Sequence, residues 1–132
     1  MIRTSIQGGV VYDTGALLAA ERHDDNMWNL HRRLLAQGVE PVVPSAVLAQ
    51  AWRGGPQAQL SRLLKGCVIE ALAENAAREV GRLLAVNRTS DVVDAAVVVS
   101  AVSRTDLVIT SDPDDLAALA AAAGVPLALQ TI

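Results

Sequence analysis

Asp13 closes the apolar run Val10-Val11-Tyr12, Asp91 and Asp94 flank Val92-Val93, and Asp112, Asp114 and Asp115 follow Leu107-Val108-Ile109-Thr110-Ser111. Carboxylates set at the ends of apolar runs, away from solvated faces, are the oxygen donors that a hard cation such as Mg²⁺ or Mn²⁺ takes. Asp91 and Asp94, three residues apart, share a face if their segment is helical. Asp94 precedes Ala95-Ala96-Val97-Val98-Val99, and a carboxylate in so apolar a helix costs several kcal/mol unless hydrogen-bonded, paired or metal-bound. Most of these acids also have a plainer role. Asp91 and Asp112 can cap helices, Asp13 can end a strand or start a turn, and Asp114 and Asp115 suit the first turn of a helix. Asp24 and Asp25 read as a solvated turn and Asp106 as a turn residue. Asp94 is the acid these roles explain least.

Alternating apolar runs and helical patterns supply the elements that must hold these residues. Gly9–Tyr12 reads as a buried strand, and Val42–Val43, Cys67–Ile69, Leu107–Ile109 and Leu127–Leu129 read as further short strands. Helical spacing covers Ala16–Ala20, then Trp28, Leu30, Leu34 and Leu35 up to Gly38. Further helices follow from Ser45 to Trp52, through Leu60, Leu63 and Leu64, and from Ala73 to Val86. Val97-Val98-Val99 favours a strand, but the length of Asp91 to Ser103 and an Asp91 cap favour a helix. Asp112, with Pro113 at the first helical position, opens a last helix ending at Gly124. Strands alternating with helices predict an α/β fold with a mostly parallel central sheet covered on both faces. In such sheets ligands gather at the carboxyl ends of the strands, which is where Asp13 and Asp112 fall.

Composition narrows the function classes. With 132 residues the chain fits a single domain, and with 52% apolar residues it is globular, not disordered. Aromatics are 2% and Phe is absent, so the core must rest on many small aliphatic contacts. A net charge of −3 provides no global basic field for nucleic acid. The charge is nevertheless uneven. Asp91, Asp94, Asp106, Asp112, Asp114 and Asp115 face Arg104 alone, whereas Arg53, Arg62, Lys65, Arg78, Arg82 and Arg88 face Glu70, Glu74 and Glu79. Cys67 is the only cysteine, which excludes a disulfide framework or a CxxC zinc site and suits a reducing compartment. Arg3 has no apolar signal core before Gly8-Gly9. The uncharged stretch Leu116–Ile132 is too short for the roughly 20 residues of a membrane span and is broken by Gly124 and Pro126. The expectation is a cytoplasmic protein with no membrane partner.

Four segments in order, Val-Tyr-Asp13-Thr14, the helix Pro44-Ser45 to Gln50-Ala-Trp52-Arg53, Asp91-Val-Val-Asp94-Ala and Leu-Val-Ile-Thr110-Ser111-Asp112-Pro-Asp-Asp115-Leu, resemble a PIN domain. More narrowly, the chain resembles VapC-type toxins of bacterial type II toxin-antitoxin systems. The likeness spans essentially residues 1–132 as one PIN-like domain. It implies a three-layer sandwich, Mg²⁺- or Mn²⁺-dependent endoribonuclease activity, a homodimer, and a cognate antitoxin whose tail fills the acidic groove. Asp13, Asp94 and Asp112 match the family's metal-binding, catalytic acids, with Asp91 and Asp115 as further metal-site acids. Thr14 and Thr110 or Ser111 match hydroxyl residues that steady the carboxylates. Gln50 stands where the family usually carries a glutamate. Its carbonyl can ligate a cation or hold a metal-bound water, but it brings no charge.

On this reading RNA phosphodiesters are hydrolysed with the help of one or two Mg²⁺ or Mn²⁺ ions held by Asp13, Asp94 and Asp112. His23 and His31 read as surface or packing residues, and Lys65 precedes a strand. Arg32, Arg33 and Arg53 are possible phosphate contacts, though each also suits a solvated helix. With so few aromatics, RNA recognition has to rest on backbone contacts and shape. Three rival readings stand beside it. Asp13-Thr14-Gly15 copies the aspartic-protease triplet, but that chemistry needs an all-β fold. Gly8-Gly9 lacks the rest of a phosphate-binding P-loop. A PIN-like binding module whose metal site has lapsed at Gln50 is the remaining alternative.

Overall fold

The computed structural model describes residues 8–89 and 91–132. Arg3, and with it the region scanned for an export signal, lies outside the described residues. Five strands, β1 (Val10–Tyr12), β2 (Val42–Pro44), β3 (Val68–Glu70), β4 (Leu107–Thr110) and β5 (Ala128–Thr131), form one parallel sheet in the order β3-β2-β1-β4-β5. Among the described residues seven helices connect them: α1 (Thr14–Glu21), α2 (Asp25–Ala36), α3 (Ser45–Ala51), α4 (Ala58–Leu64), α5 (Glu74–Asn87), α6 (Val92–Arg104) and α7 (Pro113–Ala123). The chain leaves β1 toward β3 and returns to the other side of β1 as β4. Right-handed crossovers therefore place α1 to α4 over one face of the sheet and α5 to α7 over the other. Packing of α1 against α3 and α4, and of α6 against α5 and α7, agrees with these two layers.

The core is aliphatic, as the composition requires. Val10, Val11, Val43, Val108 and Ile109 of the sheet are fully buried against Leu17, Val47, Leu60, Leu63, Val97 and Leu116 of the helices. The β-branched run Val97-Val98-Val99 lies inside α6, where burial against the sheet outweighs its strand propensity. Every strand lies within one or two residues of its expected bounds, with both ends moved in Val68–Glu70 and Ala128–Thr131. Val68 and Ile69 are 43% exposed, so β3 is an uncovered edge of the sheet.

Asp106 corrects its assignment as a turn residue. Its side chain is 1% exposed, accepts the Gly9 backbone N–H at 2.7 Å, and pairs with Arg104 Nε at 2.7 Å. Arg104 also pairs with Glu70 and donates to Ser100 Oγ at 2.8 Å, tying α6 to the end of β3. Asp106 thus fixes where β1 starts beside β4. Arg104→Ala strips a buried carboxylate of its cation and should lower unfolding free energy by about 2 kcal/mol, measured by urea denaturation.

His31 is a packing residue. It lies at the Tyr12 hydroxyl, Oη to Nδ1 2.8 Å, and meets Trp28 edge to face. Burial, helped by the charge of Arg32, holds the imidazole below its usual pKa, and burial drives the Tyr12 phenol upward. Neither group is set to ionise near neutrality. Tyr12→Phe leaves the imidazole unpartnered and should cost about 1 kcal/mol in the same measurement.

Candidate active site

The strand order reverses at β1, where connections leave over one face and return over the other, and the carboxyl ends of β1 and β4 open there. Tyr12 is in register with Ile109, and the Asp13 backbone N–H donates to the Ile109 carbonyl at 3.0 Å. Asp13 therefore emerges beside Thr110. It occupies the N-cap position of α1 without using its side chain as a cap, which leaves the carboxylate free. The Thr110 hydroxyl donates to Asp13 Oδ2 at 2.9 Å and accepts the Asp112 backbone N–H at 3.1 Å. One buried hydroxyl thus sets both the rotamer of Asp13 and the path of the chain into Asp112.

Asp112 sits at the N-cap of α7, yet its side chain makes no cap hydrogen bond, contrary to the capping role its position suggested. Asp91 does cap, accepting the Asp94 backbone N–H at 3.0 Å. Asp94 is half-buried in the first turn of α6. Burial, then the charges of Asp91, Asp13 and Asp115, push its carboxyl up to about 7. Burial also raises Asp13, against hydrogen bonds from Thr14 N–H and Thr110, and the charges of Asp91 and Asp112 add to the rise. Asp94 thus feels the charges of Asp91, Asp13 and Asp115, and Asp13 those of Asp91 and Asp112. Asp114 is an exposed first-turn acid.

Among the described residues the ion pairs are Arg78–Glu74, Arg82–Glu79, Arg104–Glu70 and Arg104–Asp106, none of them in this cluster. Arg53 folds back onto the carbonyls of Ala49 and Trp52. The five acids therefore repel one another without a basic partner. Gln50, exposed on α3, stands at the edge of the site with its Oε1 accepting the Thr14 hydroxyl at 2.6 Å. The Thr14 hydroxyl thus holds Gln50 while its backbone N–H bonds Asp13, and among the described residues the Ser111 hydroxyl bonds none of the acids. Gly15, read at first only within the protease-like triplet, has a packing reason: a Cβ there would sit 2.0 Å from Ser111 Oγ. A glycine in a helix's first turn was the available signal of such an approach.

No family model matches the sequence, and no curated protein matches it. Solved structures do match. The crystal structure of VapBC2 from Rickettsia felis, bound to a DNA fragment from their promoter, covers 93% of this chain and 98% of that chain. Its TM-score is 0.69 at 18% identity. PAE2754 from Pyrobaculum aerophilum covers 90% of each chain, with a TM-score of 0.56 at 20% identity. The chain has a PIN-type fold. At these identities the likeness establishes architecture, including the parallel sheet and two helical layers. The aspartic-protease alternative, which needs an all-β fold, is thereby excluded.

Divalent metal is the cofactor expected with a PIN-type fold, and the donor set suits one. Every candidate ligand is oxygen, the acids carry excess negative charge, and no cation neutralises them. Among the described residues no three Asp, Glu, His or Cys side chains are grouped closely enough to hold one ion. Mg²⁺ does not demand such a cage, since it is commonly held by one or two carboxylates and keeps several waters.

The raised Asp94 carboxyl has a consequence for stability. Its usual value is 3.8 and its folded value about 7, so between these the folded protein holds a proton the unfolded chain has released. The contribution is complete below about pH 4 and is lost as pH rises through about 7. In chelator, melting of the wild type should fall across this window relative to Asp94→Asn, and Mg²⁺ should narrow the gap at pH 8.

Proposed function

We propose that the protein is a Mg²⁺- or Mn²⁺-dependent endoribonuclease of the VapC kind, hydrolysing RNA phosphodiester bonds at Asp13, Asp94 and Asp112. The observation that carries this reading is the group of carboxylates, lacking any basic partner, at the carboxyl ends of β1 and β4 in a PIN-type fold. Asp13, Asp94 and Asp112 would hold the cation, with Asp91 and Asp115 adding negative charge around it. The cation, when bound, supplies Lewis-acid activation of water and offsets charge developing on the phosphate oxygens. The chain's own residues contribute orientation. Thr110 turns Asp13, the Asp91 cap fixes the start of α6 below Asp94, and Gly15 allows Ser111 and the Asp112 turn to lie against α1.

The same reading makes an antitoxin protein the natural partner, as in the VapBC2 complex, with a homodimer as the working unit in the cytoplasm. Among the described residues no helix is long and apolar enough to cross a membrane. Co-expression with the product of an adjacent short gene should relieve growth arrest and yield a stable complex on size-exclusion chromatography. Arrest unrelieved by any such product would remove the toxin assignment.

A second reading has its own support. Gln50 contributes no charge, and among the described residues no three acids are grouped for one ion, as a non-catalytic RNA- or partner-binding module would show. Gln50→Glu separates the two. Wild-type protein that neither binds Mn²⁺ nor cleaves RNA, beside a variant that does both, would establish the module.

A further inference from the structure

We infer that the open edge of β3 is the contact between two copies of this chain, which pair antiparallel about a two-fold axis at Ile69. This contact supplies the homodimer of the reading above, on which it rests. Val68 and Ile69 point to opposite faces of the sheet and both are exposed, so neither helical layer covers this edge. Among the described residues eight large apolar side chains are exposed. Four of them, Leu35, Val68, Ile69 and Leu72, lie here, with Leu35 folded over Gly66 before the start of the strand. An apolar patch on an unpaired strand is a template for further pairing unless something covers it.

The backbone favours a second copy as the occupant. Val68 donates its N–H to the Pro41 carbonyl at 2.8 Å, toward β2. Backbone groups of successive strand residues turn to opposite sides, so the N–H and carbonyl of Ile69 face the open edge. One residue presenting both groups is what a two-fold axis needs, because two antiparallel copies of Ile69 exchange both hydrogen bonds. A foreign strand would gain only the same pair of bonds from so short an edge, whereas a second copy adds complementary ends. That register sets Leu72 against the partner's Gly66, where the partner's Leu35 is exposed. It also carries Lys65, which enters no ion pair among the described residues, toward the partner's Glu74. Glu70 brings no repulsion, since Ser100 and Arg104 hold its carboxylate within each copy.

Self-association is measured by sedimentation equilibrium over a concentration series at low salt, for wild type, Ile69→Lys, Lys65→Glu and the charge swap Lys65→Glu with Glu74→Lys. Wild type should dimerise. Ile69→Lys should weaken the dimer about 30-fold or more, and Lys65→Glu about tenfold through its two symmetric pairs. The charge swap should recover most of the second loss, which a merely perturbed surface would not do. Melting curves show whether each variant folds, and the charge changes sit at exposed positions, so they decide the matter even if Ile69→Lys does not fold. A wild-type dimer unchanged in Ile69→Lys and Lys65→Glu would overturn this contact, moving the interface to another face while the homodimer reading stands. A wild type monomeric at every concentration would remove the contact and the homodimer together. A monomer that binds the product of the adjacent short gene, and loses it in Ile69→Lys, would likewise overturn the contact and give the edge to a partner's strand. Metal-dependent cleavage, assayed on the same samples, decides the nuclease reading separately.

Discussion

Asp94→Asn is expected to reduce RNA cleavage by on the order of 100-fold or more, the scale seen when a charged group that stabilises the transition state is removed. The same substitution should raise the melting temperature of the metal-free protein at neutral pH. Both effects have one cause. Asp94 is half-buried among Asp91, Asp13 and Asp115, which holds its carboxyl up to about 7 and makes its charge costly to the fold. A divalent cation held there would remove that cost, and metal binding requires the deprotonated form. Mg²⁺ affinity, measured calorimetrically, should therefore rise with pH through about 7 in wild type and lose most of that dependence in Asp94→Asn. Cleavage lost without any gain in metal-free stability would show that Asp94 acts otherwise than as a strained carboxylate.

Gly15→Ala is expected to destabilise the protein by about 3 kcal/mol and to abolish activity in whatever fraction remains folded. The added Cβ would lie 2.0 Å from Ser111 Oγ, 2.9 Å from Ser111 Cβ and 3.0 Å from its backbone N. Turning the hydroxyl away relieves the first contact but not the other two. The chain between β4 and α7 has to move, and with it Thr110, which orients Asp13, and Asp112. Ser111→Ala in the same background removes only the Oγ contact and should restore a minor part of the loss. Denaturant titration of the single and double variants measures both quantities. A Gly15→Ala protein of wild-type stability would mean that this loop yields far more easily than its packing indicates.

The strands, helices and their order were legible in the sequence because buried aliphatic runs and helical spacing alternate along it. The helix over Val97-Val98-Val99 was the one local conflict, and the length of its segment with an Asp91 cap decided it correctly. What pattern reasoning missed was tertiary in origin. Asp106 reads as a turn residue because one buried acid looks like any other until Gly9 and Arg104 are placed around it. Val68 and Ile69 form a normal apolar strand, and only the strand order reveals that they lie on an uncovered edge. The side chain of Asp112 was expected to cap α7 and makes no cap hydrogen bond, while its own backbone N–H donates to the Thr110 hydroxyl. The places of Asp13 and Asp112 after β1 and β4 followed from the strand pattern, and that of Asp94 in the first turn of α6 from the Asp91 cap. The hold of Thr14 on Gln50 had no sequence signal at all, since it joins residues 36 apart.

The central claim, metal-dependent hydrolysis at this acidic group, is tested most directly by one time course. Purified protein is incubated with single-stranded RNA in Mn²⁺, in excess chelator, and in chelator followed by Mn²⁺. The account requires cleavage in the first, none in the second, and recovery in the third. Cleavage that persists in chelator, or that fails in Mn²⁺ while the protein is folded, would contradict it.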